Sequence, residues 1–422
     1  MVEWAWRTLT RYGARHGVAA AAGSLDTQLL RGGWFPASEE RPQTCMTLVA
    51  LEHFHMETLQ AKTTMYGFYK TREKLTSNDG TKPCNRVGLG HHPQGACGGK
   101  LGDCAICCPC CPCPGINLPE DRERASKEDR FLYILFLAID ACFRLKHGLM
   151  SSDLKDPGLS TGLSYMTENM PYCEYLRTVT NQNEMSTCSG LAALDYASTK
   201  FSRGCSTTGV GMVVCARHKF IQPNGVGDLQ KGERYTNMDY IFASVLRHHD
   251  PLLPKMISYD IVCQWWKLLM EQLRELPPLV QYFLILPMIV FVIPKLHIHA
   301  HTLTCNVLYS LNLVPGSGQT DGEGIERPWA NIGRIASSTW IMGPGARHDT
   351  VDDHWGHWNW QKLISLDPRV LGVKRQEIVL TEALESFSEQ QKDRVDEWKK
   401  MVHDYEEDAT KKNPYEAVVS GT

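Results

Sequence analysis

The sequence predicts a mixed α/β (α+β) protein. Two apolar runs that end in an aspartate, FLYILFLAID (131–140) and MISYD (256–260), have the length and boundaries of buried strands. GVGMVVCARH (209–218) and IVFVIPKLHI (289–298) supply two further strand candidates. Between them, IVCQWWKLLMEQLREL repeats its apolar residues at helical spacing. Strands mixed with helices in this way indicate a sheet covered by helices.

The remaining elements follow in chain order. Residues 1–80 read as a mainly helical N-terminal region. Residues 81–125 contain GLGHHPQGACGGKLGDCAICCPCCPCPGINLP. That Gly, Pro and Cys content suits a linker or a small zinc knuckle rather than a long helix or strand pair. The α/β core occupies 126–366, and 367–422 is a C-terminal helical region. There Leu380, Leu384, Phe387, Val395, Trp398, Val402 and Tyr405 recur at spacings of mostly three or four. This predicts an amphipathic packing helix, broken once near Gln391 and stopped by NPYE at 413–416.

Bulk composition narrows the function classes. The 422 residues carry a net charge of -3, so any DNA contact must come from local basic patches. Sixteen cysteines are many. Arg7, Arg11 and Arg15 lead only into a short Ala-rich run, which is not a secretory signal. Reduced thiols or zinc ligands are therefore expected in place of a secreted disulfide framework. The longest apolar stretch, from Leu279 to Ile293, is interrupted by Pro287 and is shorter than the ~20 residues that span a bilayer. It reads as a helix end, a turn and a strand, and no membrane partner is expected. Walker A and GxGxxG patterns do not occur, so no nucleotide cofactor is expected. Gly158 to Gly162 matches GxSxG around Ser160, but SSDLKDP precedes it where a nucleophile elbow needs a buried strand.

The candidate chemistry rests on carboxylates. Asp140 and Asp260 each end a buried apolar run, at the sheet rim where sites form. Alone, each reads more readily as a turn former or helix cap. Together they suggest a cation site, because close carboxylates repel unless a cation lies between them. Two-metal phosphoryl transfer uses ions about 3.5–4 Å apart, and Mg²⁺ favours carboxylate oxygens. DGEGIERPWANIGRIA (321–336) offers a third acid, Glu323 or Glu326, with Arg327 available to orient a carboxylate or meet a phosphate.

Softer ligands form two further groups. His297, His301 and Cys305 have i, i+4, i+8 spacing and would share one helix face, with Cys263 as an additional ligand. In the Cys-rich stretch, CxxC spacing occurs at 104/107, 107/110, 108/111 and 110/113. Cys104, Cys107, Cys110 and Cys113 are the predicted ligands, with Cys84, Cys97, His91 or His92 as sources of a further pair.

The motifs CPCCPCPGINLP, FLAIDACFRLK, GVGMVVCARHKF, GVGDLQKGERYTNMDYI, SYDIVCQWW, PKLHIHAHTLTC and DGEGIERPWANIG occur in that order. In this combination the chain resembles the Kyakuja-Dileera-Zisupton (KDZ) transposases, in the fungal form associated with a CxC2-like cysteine cluster. The resemblance implies an RNase H-like core with a DDE triad. Asp140 and Asp260 match the two aspartates. Glu326 is the preferred third acid, because its Glu-Arg-aromatic pattern resembles the hAT transposases, and Glu323 is the runner-up. It further implies two Mg²⁺ or Mn²⁺ ions, DNA ends and target DNA as partners, self-association, and a nuclear location. Arg144, Lys146 and Arg327 would meet DNA phosphates, with Arg217 and Lys219 as weaker candidates. Three departures stand out: a rearranged segment near 78–95, no upstream cysteine cluster, and an early end after NPYE. They lead us to expect a shortened copy, whose alternatives are an idle relic or a host-adopted DNA- or zinc-binding protein.

Overall fold

The structure is a computed structural model that describes residues 25–36, 45–61, 63–68, 71, 99–126, 129–158, 162–179, 204–282 and 284–416. Ser160, Cys84, Cys97, His91 and His92 lie outside these residues. The chain forms two compact units, Met1–Cys84 and Asn85–Thr422. The first contains helices Leu25–Arg31 and Leu48–Ala61 and an antiparallel ribbon of Trp34–Pro36 with Cys45–Thr47.

The second unit is built on five strands. They are β1 (Leu135–Cys142), β2 (Gly209–Cys215), β3 (Ile221–Leu229), β4 (Lys255–Ser258) and β5 (Ile289–Val292). The sheet order is β3-β2-β1-β4-β5. β1–β2 and β2–β3 pair antiparallel, whereas β1–β4 and β4–β5 pair parallel. Parallel neighbours need a crossover. After β3, α1 (Tyr235–Leu246) leads to β4, and α2 (Val262–Glu275) joins β4 to β5. This mixed α/β architecture is compatible with the RNase H-like fold implied by the resemblance.

Side-chain alternation along β1 divides the core in two. Leu135, Leu137 and Ile139 join Tyr240, Trp265 and Leu269 from the two helices. Phe136, Ala138 and Cys142 face the other way, toward Trp329, Val351 and Trp355. A central strand covered on both faces reads as a continuous apolar run, and this is why FLYILFLAID was legible.

β3 was not anticipated. Its sequence, IQPNGVGDL, contains Pro223, Asn224 and two glycines, all residues that read as a loop. It is an edge strand, where proline is tolerated. Asn224 has φ 49, and the β2–β3 register shifts between Met212 and Val214, both marks of a bulge. Its glycines admit α1: a Cβ at Gly227 would lie 2.7 Å from Ile241 Cγ1.

C-terminal to the sheet lie α3 (Glu326–Ile332), α4 (Pro344–Ile364), α5 (Leu366–Gln390) and α6 (Lys392–Glu407). The interruption between α5 and α6 falls at Gln391, where the sequence predicts it. Among the described residues, no helix is long and apolar enough to cross a membrane.

Gly227→Ala is expected to overpack the contact with Ile241 and to cost about 1–3 kcal/mol. Urea unfolding checks this, and an unchanged midpoint would refute the packing argument.

Candidate functional site

Strand pairing brings the two aspartates together. The last parallel pair between β1 and β4 is Ala138 with Ser258. Asp140 and Asp260 each lie two residues further on, so both emerge at the same rim of the sheet. One carboxylate oxygen from each, together with one from Glu233, fall within 4.8 Å of one another. Glu233 enters from the loop between β3 and α1, and the Tyr259 hydroxyl donates to its Oε1.

The surroundings hold these acids in place without neutralising them. Asp140 accepts the Ala141 N–H at 2.7 Å and the Trp329 indole N–H at 2.9 Å. Burial pushes its carboxyl well above the ordinary aspartate range, and the Asp260 charge adds to the shift. Burial also raises Asp260, against the opposing pull of His297. Asp260 Oδ1 is buried and has no hydrogen-bond partner among the described residues. Clustered carboxylates, an orphaned oxygen and desolvation form a donor set that suits a hard divalent cation.

The predicted third acid stands differently. Glu326 is exposed at the start of α3 and is not part of the close set, although its charge is felt at Asp140. Trp329, three residues later, tethers α3 to Asp140, which sets Glu326 one helical turn away from that anchor. Glu323 is more buried. It accepts the Leu296 N–H at 2.8 Å and lies 3.7 Å from His297.

His297 corrects the zinc prediction. The segment does not form one helix: a 3₁₀ turn covers His297–Ala300, His301 is extended, and a new helix runs Leu303–Leu308. Thr302 caps that helix by accepting the Cys305 N–H. The shared face is therefore lost. His297 turns to the acids, 3.9 Å from Asp260 Oδ2, while Cys263, His301 and Cys305 converge. Cys263 Sγ and His301 Nδ1 are 3.6 Å apart.

The Cys-rich stretch is corrected likewise. Cys104, Cys107, Cys110 and Cys113 do not assemble as a ligand set; the last three are exposed. Cys108 and Cys111 instead meet Cys215 and His218, from the end of β2 and the turn after it. Spacing alone could not choose among four overlapping CxxC pairs, and the partner pair lies about a hundred residues downstream. Contacts from Cys108 and Cys111 hold the Cys215 thiol well below its ordinary range, whereas contacts from Cys110 and Cys111 send Cys108 above it.

The basic candidates divide. Arg144 is exposed, and Lys146 is half-buried. Arg327 is exposed and pairs loosely with Asp321 at 3.6 Å. Arg217 lies 3.5 Å above the Phe136 ring and donates to the Gly316 carbonyl, so it is engaged in packing.

Sequence reading missed two features. Glu233 is an ordinary glutamate in KGERY, and only the β3–α1 loop brings it to the rim. Arg347 is buried and donates to both Asp228 oxygens at 2.8 and 2.9 Å, and His348 meets the same carboxylate at 2.8 Å. Although burial opposes ionisation, Arg347 and His348 together hold Asp228 below the usual carboxylate range. This network ties α4 to β3.

Fold and site define a mixed α/β protein with an acidic cluster at the rim of its central sheet. The family model of the Kyakuja-Dileera-Zisupton transposases matches residues 133–359, more than half of the chain. The chain belongs to this transposase family, whose members process DNA. A second model, the CxC2 like cysteine cluster associated with KDZ transposases, matches residues 17–80. The expectation that the upstream cluster is missing is therefore corrected. The segment is present and contains a single cysteine, Cys45, which explains why cysteine spacing did not reveal it. Comparison with curated proteins and with solved structures returns no match.

Arg347→Ala is expected to destabilise the protein by about 3–5 kcal/mol, because it removes the buried guanidinium that donates twice to the Asp228 carboxylate and leaves that carboxylate to His348 alone. In the wild type, the lowered Asp228 value contributes stability above the ordinary aspartate range, and this is lost as pH falls through the folded value. Denaturation at neutral and acid pH checks both statements. An Arg347→Ala cost that does not shrink on acidification would contradict the pairing.

Proposed function

We propose that this transposase is of the DDE type and cleaves and rejoins DNA phosphodiesters with two divalent ions, Mg²⁺ or Mn²⁺. The convergence of Asp140 and Asp260 on one desolvated rim carries this reading. Such ions, when bound, activate the attacking oxygen and stabilise the leaving one.

The chain's own residues have distinct parts in this scheme. Asp140 and Asp260 are the shared ligands, and burial favours their meeting a cation over standing as bare charges. Glu233 completes the close set with them, and Glu326, exposed at the start of α3, adds its charge near Asp140. Trp329 fixes Asp140 and α3 relative to each other through one indole N–H. Arg144 and Lys146, soon after Asp140 in the chain, and Arg327, next to Glu326, meet DNA phosphates, which position the strand without reading its sequence. Self-association on paired DNA ends and a nuclear location belong to the same proposal.

A second reading, a transposon relic or host-adopted scaffold without activity, draws on the single cysteine left in the segment that matches the cysteine-cluster model.

A Mn²⁺-dependent DNA-nicking assay on the full chain tests the proposal. Asp140→Ala and Asp260→Ala are expected to abolish nicking, and Glu326→Gln to reduce it by about 10²-fold or more. Nicking that survives in either aspartate variant would sink the mechanism. A larger loss in Glu323→Gln than in Glu326→Gln would transfer the third role to Glu323. A folded wild-type chain without nicking would favour the relic.

A further inference from the structure

We infer that Cys108, Cys111, Cys215 and His218 form a structural zinc site that pins the Cys-rich loop to the β2–β3 turn. Each residue offers one ligand atom, and all four atoms lie within 4.8 Å of one another. His218 Nδ1 is 3.5 Å from Cys108 Sγ and 3.5 Å from Cys215 Sγ. A tetrahedral zinc with Zn–S of about 2.3 Å and Zn–N of about 2.0–2.1 Å leaves sulfur–nitrogen edges of about 3.5 Å. Both edges from His218 Nδ1 to a ligand sulfur therefore have the length that a zinc tetrahedron requires. Three thiolates and one imidazole select zinc over Mg²⁺ or Ca²⁺, which take oxygen ligands.

The backbone is shaped for the same purpose. The ligands come as two short halves, Cys-x-x-Cys from the loop and Cys-x-x-His from the turn. The His218 N–H points at Cys215 Sγ at 3.3 Å, the outer contact that orients a thiolate ligand. The turn closes through Lys219, with φ 66 and its N–H on the Cys215 carbonyl at 2.7 Å. Across the site, Asn117 donates to the Cys111 and Pro109 carbonyls at 2.8 and 3.0 Å and accepts from the Cys113 N–H at 2.7 Å. The three ligand sulfurs are buried. Sulfurs this close cannot all ionise without a cation, and zinc deprotonates its thiol ligands outright.

The ion would also support a neighbouring segment. A Cβ at Gly324 would lie 2.9 Å from Lys219 Cγ and 3.1 Å from the Ala216 carbonyl. The turn that supplies Cys215 and His218 is therefore the floor beneath the Glu323–Glu326 segment. The zinc site stands apart from the carboxylate cluster, and it holds whether or not the acids cleave DNA.

Metal content of the purified full chain tests the site. Wild type is expected to carry zinc, and Cys215→Ser to carry about one ion fewer per chain. Cys104→Ser and Cys113→Ser are expected to lose none. Zinc-free wild type, an undiminished Cys215→Ser, or a Cys108–Cys111 disulfide in freshly purified protein would overturn the proposal. If Cys215→Ser fails to fold, Co²⁺-loaded protein decides. His218→Cys should retain the metal and shift the tetrahedral cobalt bands toward those of four thiolates, and an unmoved spectrum would overturn the assignment.

Discussion

The parallel pairing of β1 with β4 is the constraint on which the rest of the site depends. Adjacent strands run a little under 5 Å apart. Two aspartates at equal distance past the last paired residues must therefore emerge side by side. The pairing is itself secured by burial, because Leu137 and Ile257 are fully enclosed by the helices over the sheet. A slip of one residue would exchange the two side-chain sets of β1 between the two layers of the core and separate the acids. Core packing and site geometry are thus one constraint.

That constraint creates an electrostatic problem which the surrounding residues ease only in part. The Trp329 indole and the Ala141 amide give Asp140 two hydrogen bonds. Tyr259 occupies Glu233, and His297 faces both Asp260 and Glu323. No lysine or arginine ion pair to Asp140 or Asp260 occurs among the described residues. The contrast with Asp228 is instructive. There a buried arginine closes the charge locally and lowers the carboxyl, whereas burial raises Asp140 and Asp260. One carboxylate is built to hold the fold together, and the other two remain open to a cation.

Local patterns were legible in the sequence, and pairings across long separations were not. FLYILFLAID and MISYD announced the strands and both aspartates, because doubly covered strands are continuous apolar runs. The gap at Gln391 was visible in the helical periodicity. β3 was hidden by Pro223 and by glycines that admit α1. Glu233 carries no local mark. The i, i+4, i+8 argument for His297 assumed a helix that breaks at His301. The Cys-x-x-Cys pair at 108 and 111 was one of four overlapping choices, and its completion by Cys215 and His218 depends on a contact more than a hundred residues away. The cysteine-cluster segment at 17–80 escaped notice because only Cys45 remains to signal it.

In the proposed mechanism, Asp140 and Asp260 together hold divalent ions. Anomalous diffraction from Mn²⁺-soaked crystals tests it most directly. Two manganese ions about 3.5–4 Å apart are expected at the ends of β1 and β4, with both aspartates as ligands. Manganese bound elsewhere with that rim empty, or bound there without either aspartate, would contradict it.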